Sequence, residues 1–448
     1  MKEFSGAMLW FLSLAAAMGG FLFGYDTAVI NGGEQQIQSV WSLSSVMHGW
    51  VMSAALWGTV IGAMTGGKIC DRFGRKPTLF SVGVLYFLSA AWSAFAGGPY
   101  SLMLARFIGG VGVGVSSIAA PVYISEISPA DSRGRLCALF QFNIVIGMVV
   151  SQVVNWLIGS AGLGDATWRW MLGAEALPAL AFTLLCPFLV ESPRYLAMRG
   201  HEVADVSPSS RMDGKFHPPA FAKASAAAQA LSDKLAGKPT QNSNSIGFFS
   251  RANLRPISLA FCVAMFNQLS GICAVLYFAR RVFQLAGCSS ETALAVTAWL
   301  TVLLGIGTFV GLFLIDRIGR RQMLVLGGIG YLVSLFGCAV AFVLGWNVVA
   351  AACIFLFIFS HAVGQGTVIW VFISEVFPQK FRAQGQSFGS FTHWMFCATL
   401  TFVFPLMTAK MPTWSIFALF GTFMVFHIFW AIFIVPETKG KVLEEINL

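Results

Sequence analysis

The chain has 448 residues, of which 57% are hydrophobic, 14% aromatic and only 10% charged. Soluble domains run near 25% charged, so this composition excludes a soluble globular protein: there are too few charges to clothe one in a polar shell. The net charge of +9 is compatible with nucleic acid until the positions of the charges are considered.

A bilayer-spanning helix needs about 20 mostly apolar residues. From the N-terminus, such stretches are predicted at 8–31, 46–69, 77–97, 100–123, 136–159 and 167–190. After a polar interval they resume at 256–284, 291–315, 322–344, 346–374, 384–408 and 413–435. The first is a span and not a signal peptide: it carries Asp26, lacks a small-residue cleavage site and is followed by many equivalents. The expected fold class is an all-α membrane protein of twelve transmembrane helices. An even number of spans puts both termini on one side of the membrane. Loops on that side hold every Lys and Arg except Arg106, Arg169, Arg280, Arg281 and Lys410. The positive-inside rule places that side, with both termini, in the cytoplasm, and the protein in the cell membrane. The charge is a topology signal, so the expected surroundings are lipid, with no nucleic acid. The nine cysteines form no CxxC pair and most fall inside spans, so neither a disulfide framework nor a metal site is expected.

Three loop motifs recur at offsets of about 245 to 249 residues, too long for a solenoid and the mark of duplicated halves. Asp71-Arg-Phe-Gly-Arg75-Lys returns as Asp316-Arg-Ile-Gly-Arg320-Arg. Ser125-Glu126-Ile-Ser-Pro with Arg133 returns as Ser374-Glu375-Val-Phe-Pro with Arg382. Glu191-Ser-Pro-Arg194 is echoed by Pro436-Glu437-Thr-Lys439. The predicted domains are an N-terminal six-helix bundle (1–194), a partly helical cytoplasmic linker (195–254) with a short helix near 220–236, and a C-terminal six-helix bundle (255–448).

Charges within spans are functional hypotheses by default. Asp26 and Arg106 lie at similar depth in spans one and four. Either alone would cost about 2.5–3.5 kcal/mol near the helix centre, so pairing is expected. The run Gly109-Gly-Val-Gly112-Val-Gly114 follows no strand, so it reads as close helix packing and not as a phosphate loop.

The doubled D-R-x-G-R-[RK] loops resemble the major facilitator superfamily. Glu191-Ser-Pro-Arg194, Pro436-Glu-Thr-Lys-Gly440, Phe23-Gly-Tyr-Asp26 and Gln268-Leu-Ser-Gly271 resemble its sugar porter family, which includes bacterial sugar–proton symporters and animal glucose facilitators. The likeness covers the chain outside 195–254. It implies a cytoplasmic gate of Asp71, Arg75, Glu126, Arg133, Glu191, Asp316, Arg320, Glu375, Arg382 and Glu437, tying the halves together when the transporter faces outward. It also implies that Asp26 and Arg106 couple transport to protons, since facilitators carry a neutral residue at the acid. The expected cofactor list is empty, with protons as the coupling ion.

For cargo, the resemblance points to Phe23, Gln141, Asn267, Gln268, Cys273, Tyr277, Gly366, Trp370, His393 and Trp394 as substrate-binding. Amides suit sugar hydroxyls and aromatic faces suit the ring's C–H surface. Several positions depart from the family: Asn267 replaces a glutamine, Cys273 an asparagine, and His393 stands where an amide is common. Leu304 takes an asparagine's place, Met148 a second glutamine's, and Thr367 follows Gly366 in place of proline. A site lacking amide partners discriminates against cargo that needs them, so a monosaccharide other than glucose, or a related polyol, is expected. The reading is a monomeric, proton-coupled importer of a small neutral sugar or polyol by alternating access, and not an enzyme. A proton-independent uniporter is the nearest alternative. A transporter-like nutrient receptor, which generally needs a long cytoplasmic tail, is the alternative from another class.

Overall fold

The structure is a computed structural model, and it describes residues 6–128, 133–192, 195–196, 248–378 and 381–439. Most of the predicted linker, including its short helix, lies outside the described residues, as do Pro129, Arg194 and the side chain of Arg133. The N-terminal half contains α1 (Gly6–Val40), α2 (Ser45–Phe73), α3 (Arg75–Ala94), α4 (Pro99–Ile127), α5 (Arg133–Ser160), α6 (Thr167–Ala174) and α7 (Ala176–Leu185). The C-terminal half contains α8 (Leu254–Leu269), α9 (Ile272–Tyr277), α10 (Ala279–Leu285), α11 (Ser290–Ile318), α12 (Arg320–Leu344), α13 (Asn347–Val363), α14 (Gln365–Val376), α15 (Arg382–Lys410) and α16 (Thr413–Phe433). Among the described residues these make 12 stretches long and apolar enough to cross a membrane.

Local chemistry sets the ends. The Ser44 and Ser289 hydroxyls cap α2 and α11 by accepting from the N–H groups of Met47 and Thr292. The motif glycines Gly74 and Gly319 turn the chain between α2 and α3 and between α11 and α12 with φ of 94° and 102°, a region that glycine enters freely. A Cβ on either would strike the carboxylate of Glu191 or Glu437, at 2.5 and 2.6 Å. One motif therefore shapes the seat for another. The first helix runs past its predicted end to Val40, because Gly32 and Gly33 do not break it and the chain turns only at Ser42, φ 46°.

Three predicted spans are broken. Span six bends at Glu175 between α6 and α7. Span seven breaks at Ser270–Gly271 and again at Phe278, and span ten breaks at Gly364. The glycine run of α4 packs against α2, where a Cβ on Gly110 would come within 1.8 Å of the Ala55 carbonyl oxygen. Close backbone approach is thus the function of that run. The halves meet along two seams, α2 on α15 and α5 on α11, which the repeat relates to each other. The loops that carry the repeated motifs share one end of the molecule, the motif face; the opposite end is the far face.

Candidate functional site

The deepest charges form a triad. Arg106 on α4 is 2% exposed; its Nη1 donates to Asp26 Oδ1 at 2.5 Å, and its Nη2 donates to Oδ2 at 3.2 Å and to the Asp26 carbonyl at 2.9 Å. The sequence reading missed the third member. Glu175, at the bend of span six, is 1% exposed, and its Oε2 stands 3.9 Å from Arg106 Nη1. Its signal was a lone carboxylate in an otherwise apolar run. One guanidinium thus faces two carboxyl groups.

Three residues before Asp26 on α1, Phe23 packs against Trp394 of the other half, with ring centroids 5.6 Å apart. Trp394 stands edge-on to His393 at 5.0 Å, and His393 lies 4.9 Å from Trp370. Gln268 Nε2 approaches the His393 ring at 3.2 Å and donates to Asn267 Oδ1 at 2.9 Å. Asn267 Nδ2 and Gln268 Oε1 are buried with no partner among the described residues, and buried polar atoms of that kind call for a partner. Tyr277 ends α9, eight residues before the end of α10, and is 2% exposed. Gly366 packs on His361, whose Nδ1 is 2.6 Å from the Tyr331 hydroxyl.

Two predicted cargo residues stand differently. Gln141 lines a cavity of about 200 Å³ on the seam between α5 and α11, toward the motif face, with Phe142, Val145, Thr308 and Phe309. Cys273 lies just past the break at Gly271, and its sulfur is bonded to Cys397 of α15 in a disulfide. This corrects the expectation of no disulfide: the partners lie 124 residues apart and meet only because α9 packs on α15. Gln152, not singled out from sequence, is 1% exposed and ties α5 to α1 by donating to the Ala28 carbonyl at 2.9 Å.

On the motif face the two halves build matching networks. Arg75 makes a two-pronged bond to Glu126, at 2.9 and 2.9 Å, and Arg320 makes the same bond to Glu375, at 3.1 and 2.8 Å. Asp71 and Asp316 add ion pairs at 3.3 and 3.2 Å. Glu191 and Glu437 accept from the backbone N–H of Arg75 and Arg320, both at 2.9 Å. Each of these bonds lies within its own half. Arg382 Nε is buried with no partner among the described residues.

Bonds between the halves gather at the far face. Arg281 grips Glu34 at 3.1 and 3.0 Å and donates to Gln38 at 2.5 Å, and His48 Nε2 stands 3.3 Å from Glu34. Arg280 donates through its backbone N–H to Asn31 Oδ1 and through its side chain to the Gly32 carbonyl, at 3.1 and 2.7 Å. Gln35 donates to Gln284 at 2.5 Å. Glu34 and Arg281, Asn31 and Arg280, and Gln35 and Gln284 are 247 to 249 residues apart, which matches the repeat offset. Equivalent ends of spans one and seven therefore meet on the axis relating the halves.

Twelve spans in two repeat-related bundles, closed around a buried charged and aromatic centre, define a membrane transporter of the major facilitator kind. Residues 12–448 match the family of sugar (and other) transporters, and the chain belongs to that family. The glucose transport protein of Synechocystis is 32% identical, over 97% of this chain and 96% of its own. The D-xylose-proton symporter of Escherichia coli is 29% identical, over 99% and 96%. Among solved structures, the inward open conformation of the xylose transporter XylE from E. coli matches with a TM-score of 0.83 at 28% identity, over 98% of both chains.

Proposed function

We propose that the chain imports a monosaccharide or related polyol together with a proton, by alternating access. The observation that carries this reading is the triad, in which Asp26 and Glu175 surround the single guanidinium of Arg106. Two buried carboxylates beside one cation leave a charge that a proton can neutralise, and buried charge without compensation is costly. Movement of α1 against α4 would change that balance once per cycle. Because Phe23 and Asp26 lie on one face of α1, cargo at Phe23, Trp394, Gln268 and His393 is positioned to influence the proton site. The likeness to the D-xylose-proton symporter supports the same assignment.

Both termini and the motif face are assigned to the cytoplasm. With the far face bonded shut and the cavity at Gln141 on the motif-face side of the seam, the conformation is inward-facing. Asp71, Arg75, Glu126, Arg133, Glu191 and their C-terminal counterparts would bridge the halves in the outward-facing state. The test is net uptake into cargo-free proteoliposomes of hexoses, pentoses, polyols and disaccharides added outside, one at a time, while internal pH is recorded. Cargo-driven acidification is expected; uptake of a sugar with no pH change would leave a uniporter, and failure of every sugar and polyol would remove the cargo assignment.

A further inference from the structure

The disulfide between Cys273 and Cys397 sits where span seven is hinged. Gly271 adopts φ 88° between α8 and α9, and Cys273 follows two residues later. Beyond it, α9 and α10 carry Tyr277 and then Arg280, Arg281 and Gln284, which hold the far face to α1. On the other side, Cys397 is four residues after His393 on α15, so the two share a helix face. The far half of span seven is thus fastened twice: by noncovalent bonds to α1 near its end, and by a covalent bond to α15 at its start. Opening the far face requires the first fastening to release and the segment to swing about Gly271. The second fastening holds the base of that swing.

We propose that Cys273–Cys397 is a reversible thiol-oxidation site that sets whether α9–α10 can open the far face. The proposal rests on the transport reading above. Its reductant is a low-molecular-weight thiol of the glutathione class, entering by the cargo path. Cys273 is 9% exposed and Cys397 0%, so the incoming thiolate attacks the Cys273 sulfur. The S–S bond breaks, and Cys397 leaves as a thiolate that takes up the proton given by the attacking thiol. A second thiol attacks the small-molecule sulfur of the mixed disulfide, forms the small-molecule disulfide, and gives its proton to Cys273. Two thiols are oxidised and one protein disulfide is reduced. The reverse reaction, with a low-molecular-weight disulfide as oxidant, restores the lock.

The full-length protein in proteoliposomes provides the test. Non-reducing mass spectrometry after blocking free thiols should find a peptide pair linked through Cys273 and Cys397. Adding dithiothreitol should speed backbone hydrogen exchange in 272–285 on the order of tenfold, and should raise counterflow of D-glucose, D-xylose or L-arabinose by a similar factor. A Cys397→Ser protein should show the fast exchange without reductant and no further response to it. The absence of the linked peptide, or a linked protein whose exchange in 272–285 ignores dithiothreitol, would overturn the proposal. The exchange measurement needs no cargo, so if none of the three sugars is carried but exchange responds, the sugar assignment fails while the redox site stands.

Discussion

Replacing Glu175 with Gln tests the charge count at the centre of the protein. The wild-type triad sets two carboxyl groups against one guanidinium, and on the proposed coupling the unmatched carboxyl is the place for one proton per cycle. Removing Glu175 leaves Asp26 and Arg106 as a matched pair, already bonded at 2.5 and 3.2 Å, with no charge for a proton to neutralise. For a neutral cargo moved with one proton, a pH difference of about one unit supplies about 1.4 kcal/mol, a tenfold concentration ratio. Proteoliposomes with an acidic exterior and the membrane potential clamped to zero should therefore approach tenfold accumulation with the wild type and about onefold with Glu175→Gln. Counterflow, which needs no net proton movement, reports whether the variant still binds and turns over cargo. If Glu175→Gln with working counterflow still accumulates cargo about tenfold, the charge count is the wrong account of coupling.

Three further outcomes follow from the geometry. Arg281→Gln removes the two-pronged grip on Glu34 and the bond to Gln38, and should raise the far-open population on the order of a hundredfold, since three bonds at about 1 kcal/mol net each sum to about 3 kcal/mol. Spin labels at the exposed positions 46 and 285 should report a longer distance component, and an unchanged distribution would refute the far-face latch. Gly110→Ala places a methyl group 1.8 Å from the Ala55 carbonyl oxygen and should destabilise the N-terminal bundle by about 1–3 kcal/mol. Gly67→Ala meets nothing within 4 Å and should melt like the wild type in the same detergent; equal melting of both variants would contradict the α2–α4 packing. Trp394→Ala deletes the aromatic wall shared with Phe23 and should weaken cargo affinity on the order of tenfold, a claim that unchanged binding in a scintillation proximity assay would defeat.

The repeat and the apolar runs made the twelve spans legible, and depth alone brought Asp26 to Arg106. Other features were legible in principle. The repeat offset, applied to the far ends of spans one and seven, pairs Glu34 with Arg281 and Gln35 with Gln284, a step that motif matching on the opposite face does not prompt. Glu175 sat in plain view within an apolar run. The breaks at Gly271 and Gly364 were harder to see, because no proline marks them and hydropathy reads through a single glycine. The Cys273–Cys397 bond depends on how α9 packs on α15, and no local spacing encodes that. The motif-face charges show a different limit. The sequence brings Arg75 and Glu126 to one end of the molecule, but whether they bond within a half or across halves depends on the conformation.

That distribution of bonds is itself a mechanism for rocking. Within each half the arginines are over-determined: Arg75 holds both Glu126 oxygens and the Cys70 carbonyl while its own N–H is taken by Glu191, and Arg320 repeats the pattern with Glu375, Ile315 and Glu437. Charge-assisted, two-pronged bonds of this kind resist distortion, so each bundle can move as a body. Across the axis lie amide contacts, the Arg280 guanidinium on the Gly32 carbonyl and one two-pronged pair, Arg281–Glu34, whose arginine is 21% exposed. The neutral contacts exchange a partner for water at a net cost of about 0.5–1.5 kcal/mol each and the charged ones at about 1.5–3 kcal/mol. A handful of them sums to a few kcal/mol, the gap at which a second conformation holds about 0.1–10% of the population. Stiff halves joined by an inexpensive set of axial bonds allow the binding of one small cargo and one proton to decide which face is open.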